Sequence, residues 1–340
     1  MKKRLLSVLI CATMVVTMLA ACASKPAEEA PAEGTTTEAA TEEETTGGQK
    51  IGISVPKAVT GWTAAIQYYA EKYTKENNLD AVVVAAENTN EQANQIEELI
   101  NMGCDAIVLL PINDELATAA QKIMDAGIVL VNYDRTLGAT TPDYYVGGDN
   151  PGVGHLGAEY LQEKLGDEYN VVIMGASGWG AISQERIDGY KEKIAEITPN
   201  VTILGEYAAG YASQEEGLSL MADILSANPE IDAVFSVDDE QANGIIRAIR
   251  EANRTDIKAV TAGGGVKGYA TNMLSPEFAD MWLATATYYP TMIVDAIKVA
   301  EQVLAGESPE TSIIIPCTIL DRDNVEQWRE ENNVDEDAPY

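Results

Sequence analysis

The sequence predicts an α/β protein built from two doubly wound, Rossmann-like domains that are joined by a hinge. Three observations predict this fold. Short β-rich runs alternate with helical patterns from Ile51 onward. The runs are apolar on both faces, as expected for parallel strands that are covered by helices. The same order of elements then begins again at Val171. We interpret this as two domains related by pseudo-duplication, with one large open sheet as the alternative.

The first half of the folded region alternates strands and helices. Its predicted strands cover residues 51–55, 81–86, 105–110 and 128–132. Predicted helices cover 62–76 and 114–126, and a further helix carries Gln92, Ile96, Leu99 and Ile100 on its apolar face.

The second half repeats this order. Its predicted strands cover 171–174, 201–205, 233–237 and 257–262, and its predicted helices cover 183–197, 214–227 and 240–252. Residues 105–115 of the first half resemble residues 232–240 of the second, and each segment follows one helix and precedes another. This internal similarity supports two domains rather than one sheet.

The N-terminal residues predict an export route. Lys2, Lys3 and Arg4 precede an apolar run over 5–21, which is typical of a signal peptide covering residues 1–21. The run ends in Leu-Ala-Ala-Cys, which resembles the bacterial lipobox and implies that Cys22 is lipidated; an ordinary signal peptide is the alternative. Residues 22–49 are rich in Ala, Pro, Glu, Thr and Gly and predict a disordered tether. We expect an extracytoplasmic protein that is anchored to the cell membrane only by this lipid.

Charge and composition exclude several functions. The chain has 340 residues and a formal net charge of −32, which repels nucleic acid. A single histidine, His155, and four cysteines are too few for a zinc cluster or a histidine-based catalytic triad. We expect no enzyme activity, no metal and no cofactor. Spacing leaves open whether Cys104 and Cys317 are paired or free, and the acidic run 335–337 is expected to be a solvated tail.

Residues suited to a polyhydroxylated ligand lie in the predicted strand-end loops. Ligands of doubly wound sheets lie beyond the carboxyl ends of the strands, so two facing domains predict one cleft between them. Aromatic rings can cover the flat faces of a sugar, and planar polar groups can bind its hydroxyls. Taken singly, each such residue could equally be a helix cap, a surface ion pair or a turn. The candidates for binding are Trp62, Asp134, Arg135, Asn150, Trp179, Arg186, Tyr211, Asp238, Gly263 and Tyr288.

Several motifs are distributed over residues 51–320. They are Tyr133-Asp134-Arg135, Gly148-Asp149-Asn150, the segments 185–190 and 234–240, and the helix ending at 303–307. Together they resemble the type I periplasmic sugar-binding proteins of ABC importers, the ribose and galactose type. It implies that Trp62 and Tyr211 are aromatic platforms and that Asp134, Arg135 and Arg186 bind hydroxyls.

Other positions depart from the ribose-binding pattern. Asp238 stands where ribose binders carry an amide, Gly263 where an aspartate is usual, and Thr287 or Tyr288 where a glutamine is usual. Thr60 and Thr63 replace an amide and a second aromatic residue. The expected ligand is therefore a monosaccharide or related polyol, without ribose being implied.

The resemblance also implies the domain organisation and the partners. An N-terminal lobe would comprise 50–149 and about 286–312, and a C-terminal lobe 150–285 and about 313–340. The hinge would lie near 147–152, 280–290 and 308–318. The protein would be a monomer that delivers its sugar to an ABC permease and ATPase. The alternatives are a sugar sensor for a receptor kinase and an extracytoplasmic oxidoreductase that uses the glycine-rich loop 263–268.

Overall fold

The computed structural model describes residues 49–58, 61–332 and 334–340. Its first half contains the strands β1 (Ile51–Pro56), β2 (Ala81–Ala86), β3 (Ala106–Leu109), β4 (Val129–Tyr133) and β5 (Tyr144–Gly148). The helices between them are α1 (Gly61–Glu76), α2 (Thr89–Asn101) and α3 (Ala117–Asp125). The elements predicted here are present, and β5 is a strand that the sequence analysis did not predict.

The second half begins with α4 (Asn150–Leu165). It continues with β6 (Asn170–Ala176), α5 (Ala181–Ile197), β7 (Thr202–Ala209), α6 (Gln214–Ala227), β8 (Ala233–Ser236), α7 (Asp239–Glu251), β9 (Ala259–Gly264), α8 (Lys267–Leu274) and β10 (Trp282–Thr287). The last elements are α9 (Met292–Leu304), β11 (Ser312–Ile315), β12 (Ile319–Asp321) and α10 (Val325–Glu331).

Two separate six-stranded sheets organise the described residues. The first has the order β11-β5-β4-β3-β1-β2 and the second has the order β12-β10-β9-β8-β6-β7. The first five strands of each half therefore occupy equivalent places. Strand pairs are parallel throughout, except that β12 runs antiparallel to β10. The prediction of two doubly wound domains is confirmed, and the alternative of one open sheet is wrong.

The described chain passes between the two sheets at three places. These lie between β5 and α4, between β10 and α9, and between β11 and β12. Because β11 belongs to the first sheet, the last passage lies after Ile315, slightly beyond the predicted boundary at about 312. The exact division into lobes stays a prediction. We call the part around the first sheet the first lobe and the part around the second sheet the second lobe.

Two glycines bring α4 and α5 into close contact. A Cβ built on Gly154 of α4 would lie 2.2 Å from the carbonyl oxygen of Arg186, and one on Gly189 of α5 would lie 2.4 Å from that of Pro151. Real Cβ atoms do not approach backbone this closely, so the two helices can pack in this way only without side chains at both positions. The contact places Asn150, at the start of α4, beside Arg186 on α5.

The segment 334–340 is bound to both lobes. Asp335 accepts hydrogen bonds from Tyr68 Oη and Lys72 Nζ of α1, each at 2.8 Å. Lys72 holds the pKa of Asp335 at about 2. On the second lobe, Lys267 of α8 donates to the Ala338 carbonyl at 3.4 Å, and the Tyr340 side chain is buried. The expectation of a solvated acidic tail is therefore wrong for Asp335, which is paired with Lys72, whereas Glu336 and Asp337 are exposed.

The two cysteines of the folded region are free thiols. Cys104 is buried among the apolar side chains of the first lobe, and Cys317 donates to the Asp149 carbonyl. Burial raises the pKa of both thiols. The open question about their pairing is thus answered for this structure.

The predicted signal peptide, the lipidated Cys22 and nearly all of the predicted tether lie outside the described residues. Within the part of the chain that the structure does describe, every helix is too short or too polar to cross a membrane.

Replacing Gly154 with alanine tests the contact between α4 and α5. The added methyl group would push against the backbone of α5, and we expect the free energy of unfolding to fall by about 1–3 kcal/mol. Urea unfolding followed by circular dichroism measures this change. Gly268→Ala in α8 is the matched control, since its Cβ would meet no atom closer than 3.4 Å. Equal stability of Gly154→Ala and the wild type would contradict the packing described here.

Candidate functional site

Tyr288 lies at the centre of a cluster that joins the two lobes. It follows β10, and its side chain is only 5% exposed. Its hydroxyl donates to Asp134 Oδ1 at 2.5 Å and accepts from Asn150 Nδ2 at 3.4 Å. Burial raises the pKa of Tyr288 well above its ordinary value, so the phenol keeps the proton that it donates. One side chain thus links the end of β4 in the first lobe to the start of α4 in the second.

Hydrogen bonds of its backbone amide and carbonyl fix the position of Asp134 at the end of β4. Its φ is +62°, in the left-handed region. Its amide donates to Val146 O at 2.8 Å, and its carbonyl accepts from Tyr145 Oη at 2.7 Å. Burial raises the pKa of the Asp134 carboxyl, against the opposing hydrogen bond from Tyr288. Within the described residues, Oδ2 of this carboxylate makes no hydrogen bond, so it can accept one from a ligand.

Arg186 forms the part of the cluster that belongs to the second lobe. It is 3% exposed, and its Nε donates to Asn150 Oδ1 at 2.9 Å while Nη1 donates to Val237 O at 2.7 Å. The guanidinium carbon lies 4.4 Å from the centre of the Tyr288 ring and 5.7 Å from that of Trp179. Its Nη2 makes no hydrogen bond to any residue that the structure describes, so the guanidinium retains donor capacity.

Trp62 supplies a flat aromatic surface from the first turn of α1. Its ring stacks on Tyr133, with centroids 6.1 Å apart and planes at 17°. Its Nε1 donates to the Tyr288 carbonyl at 2.9 Å, and the two rings lie 5.9 Å apart. The first and second lobes also meet nearby, because a Cβ on Gly61 would lie 2.9 Å from Glu240 Oε1.

Six of the ten predicted site residues therefore lie in one connected cluster. They are Trp62, Asp134, Asn150, Trp179, Arg186 and Tyr288. Gly263 borders it, because a Cβ there would lie 2.5 Å from Val153 Cγ1 and 3.4 Å from Arg186 Nη1. A side chain at this position would therefore require Val153 to shift.

Arg135 and Tyr211 lie outside this cluster. Arg135 Nη1 donates to Ile112 O at 3.0 Å, so the guanidinium is directed onto a loop of its own lobe. Tyr211 is 73% exposed and covers Gly178, where a Cβ would lie 2.7 Å from its ring. No hydrogen bond among the described residues joins either side chain to the cluster, although the charge of Arg135 opposes the effect of burial on the pKa of Asp134.

Asp238 borders the cluster as the N-terminal cap of α7. Its Oδ1 accepts from the amides of Glu240 and Gln241, at 2.7 and 3.4 Å. Burial, followed by repulsion from Asp239 and Glu240, raises the pKa of Asp238 to about 8. A neutral carboxyl at this place could both donate to and accept from a hydroxyl.

The Asp239 carboxylate accepts hydrogen bonds from the backbone amides of the glycine-rich loop 263–268. Its Oδ2 accepts from Gly265 N at 2.7 Å, from Val266 N at 2.9 Å and from Thr285 Oγ1 at 2.9 Å. In dinucleotide-binding loops these backbone donors bind a pyrophosphate. A phosphate at this loop would have to displace a buried carboxylate, which argues against the oxidoreductase alternative.

Several residues of the site were missed in the sequence. Tyr133 and Tyr145 support Trp62 and Asp134, and their positions beside a strand-end motif could have indicated them. Tyr340 is buried close to Gly264, where a Cβ would lie 2.1 Å from its hydroxyl oxygen. Nothing local in the sequence indicates that placement. In the described ranges, no group of three or more His, Cys, Asp or Glu side chains is arranged to hold a metal ion.

Comparison with known proteins identifies the family. A profile described as the periplasmic binding protein domain matches residues 51–308. The chain belongs to this family. Its fold is that of the type I periplasmic binding proteins, as expected from the resemblance.

Individual relatives are distant but cover most of the chain. The xylitol-binding protein of Mycolicibacterium smegmatis is 28% identical over 262 residues, covering 75% of this chain and 72% of that protein. The ribose import binding protein of Bacillus subtilis is 26% identical over 273 residues, which cover 79% of this chain and 86% of that protein. The crystal structure of an ABC transporter solute binding protein from Mycobacterium smegmatis with bound glycerol has a TM-score of 0.71 at 25% identity, covering 83% of this chain and 96% of that one.

The raised pKa of Asp238 predicts how stability depends on pH. The folded state binds this proton more tightly than the unfolded state, whose aspartate pKa is about 3.9. Stability should therefore fall as the pH rises from about 4 to about 8. Asp238→Asn keeps a good helix cap and should flatten this dependence. Between pH 5 and pH 8, its free energy of unfolding should rise relative to that of the wild type by more than about 1.4 kcal/mol.

Urea unfolding at several pH values measures this effect. The exposed Asp323→Asn is the matched control and should follow the wild type. Identical pH profiles of Asp238→Asn and wild type would show that Asp238 does not carry the titration.

Proposed function

We propose that this chain is the substrate-binding lipoprotein of an ABC-type importer and captures a monosaccharide or related polyol between its lobes. One observation carries the proposal. The hydrogen-bonded series Asp134–Tyr288–Asn150–Arg186 crosses from one lobe to the other beside Trp62. This series combines acceptors, donors and an aromatic face at the junction of the lobes.

The free hydrogen-bonding capacity of the cluster suits hydroxyl groups. A hydroxyl donates one hydrogen bond and accepts others. Asp134 Oδ2 can accept, and Arg186 Nη2 can donate, since neither atom has a partner among the described residues. Charge-assisted hydrogen bonds of this kind are stronger than neutral ones. Trp62 and Trp179 can cover the C–H faces of a carbohydrate.

The same arrangement accounts for capture by closure. Asp134 belongs to the first lobe and Arg186 to the second, so a ligand contacts both only when the lobes are together. A ligand with contacts that exist in only one conformation shifts the population toward it. The three passages between the sheets would act as the hinge, and the closed form would be delivered to the permease.

The relatives support a small polyhydroxylated ligand. Their names include xylitol, ribose, D-allose and D-xylose, and one structure contains bound glycerol. Arg135 stays a proposed contact, whose guanidinium would exchange a carbonyl of its own lobe for a ligand hydroxyl. Tyr211 would have to move toward the cleft to act as a platform.

The proposed location is outside the cytoplasm, on the membrane surface. It depends on the signal-like residues 1–21 and on the lipobox ending at Cys22. A lipid on Cys22 would keep the binding protein close to its permease.

Isothermal titration with a panel of monosaccharides and polyols tests ligand capture. At least one member should bind the wild type, and Arg186→Gln should bind it at least about 100-fold more weakly, because a buried charge-assisted donor is lost. Arg247→Gln, at an exposed position on α7, is the control and should bind as wild type does. A well-folded wild type that binds nothing in the panel would contradict the proposal.

Metabolic labelling with an alkynyl fatty acid tests the anchor. The wild type should incorporate the label and be recovered with membranes, and Cys22→Ser should do neither. Cys104→Ser is the control for a thiol in the folded region. Labelling that persists in Cys22→Ser would show that the lipid, if present, is attached elsewhere.

A further inference from the structure

We propose that Tyr288 limits the size of the ligand, so that the cleft takes a short acyclic polyol of the size of glycerol or xylitol in preference to a hexopyranose. This inference rests on the proposed function and narrows its substrate class. It concerns Tyr288, the side chain that links the two lobes.

The ring of Tyr288 packs near the Trp62 ring and the Arg186 guanidinium, which a ring sugar would also need to contact. It lies 5.9 Å from the ring of Trp62 on one side and 4.4 Å from the guanidinium of Arg186 on another. A pyranose would place its C–H face on the same indole and its hydroxyls on the same guanidinium. Tyr288 therefore takes up part of the volume between these two groups.

The hydroxyl of Tyr288 also uses polar groups of the site. It donates to Asp134 Oδ1 and accepts from Asn150 Nδ2. Asp134 Oδ1 and one of the two hydrogens of Asn150 Nδ2 are thus already engaged. The partners left for a ligand are the second oxygen of Asp134, Nη2 of Arg186, the second hydrogen of Asn150 Nδ2 and the carboxyl of Asp238. This small number suits a molecule with few hydroxyls.

Packing and backbone hydrogen bonds hold the Tyr288 ring in one position. Its ring is seated on Gly148, where a Cβ would lie only 2.3 Å from ring atom Cε2. Both backbone groups of Tyr288 are hydrogen-bonded. Its amide donates to Gly264 O at 3.0 Å, and its carbonyl accepts from Trp62 Nε1. Moving the ring away would leave Asp134 Oδ1 buried without its hydrogen-bond donor and would leave a cavity next to Gly148.

The space beside Arg186 at Gly263 is occupied as well. Gly263 has no side chain, and the space that a Cβ would need there is taken by Val153 Cγ1, at 2.5 Å. Tyr288 and Val153 thus both take up space near the same guanidinium. Both restrictions act in the same direction and favour a slender ligand.

Isothermal titration of wild type and two variants tests the size limit. The probes are glycerol, erythritol and xylitol as short polyols, and D-glucose, D-allose and myo-inositol as six-membered rings. The wild type should bind at least one short polyol about 10-fold or more tightly than any ring probe. Tyr288→Ala should improve the affinity for ring probes relative to short polyols by at least about 10-fold. Arg247→Gln, at an exposed position on α7, is the control and should keep the wild-type ranking.

Each result decides the proposal. A wild type that prefers a ring probe would overturn the size limit while supporting sugar capture. An unchanged ratio in folded Tyr288→Ala would also overturn it. If Tyr288→Ala does not fold, the ranking of the wild type decides alone. A wild type that binds none of the probes or of the wider panel would contradict the proposed function itself, and the size limit with it.

Discussion

The burial of the Arg186 guanidinium is the constraint on which the site depends. A charged group that is almost completely removed from water must have partners placed around it, because an unpaired buried charge is strongly unfavourable. Here the partners are the amide oxygen of Asn150, the carbonyl of Val237 and the face of the Tyr288 ring. Asn150 and Tyr288 in turn connect to Asp134 in the other lobe. The requirements of one side chain thus order the contacts between both halves of the molecule.

These contacts require close helix packing. Arg186 meets Asn150 because α4 and α5 touch through glycines, without side chains between their backbones. The pair is therefore placed by two rigid elements of the same lobe, which suits a group that must keep its orientation. The partner that changes during opening would be Asp134, which lies on a different sheet.

Much of the architecture could be predicted from the sequence. The alternation of apolar strands and helical patterns, and its repetition, were enough for two doubly wound domains, because burial between helices leaves a strong signal in each parallel strand. The strand β5 was missed because Tyr144–Gly148 is short and ends in two glycines. The boundaries near β11 were harder to predict, since pairing partners are distant in sequence.

The site was predicted less completely than the fold. Strand-end positions and motif resemblance selected six residues that meet, since the carboxyl ends of parallel strands share one edge. Periodicity does not specify rotamers, so it could not show that Arg135 binds a carbonyl of its own lobe or that Tyr211 faces solvent. It also could not show that Tyr340 returns to the second sheet, because that contact depends on the path of the last segment.

The position of Trp62 gives the protein a built-in optical reporter. Its indole stacks on a tyrosine of the first lobe, while its N–H is bonded to a carbonyl at the end of β10 in the second sheet. Opening of the lobes at this junction would change the surroundings of the indole. The chain has four tryptophans, so emission reports this site once Trp179, Trp282 and Trp328 are replaced. Opening and closing can then be timed in a stopped-flow instrument without any attached dye.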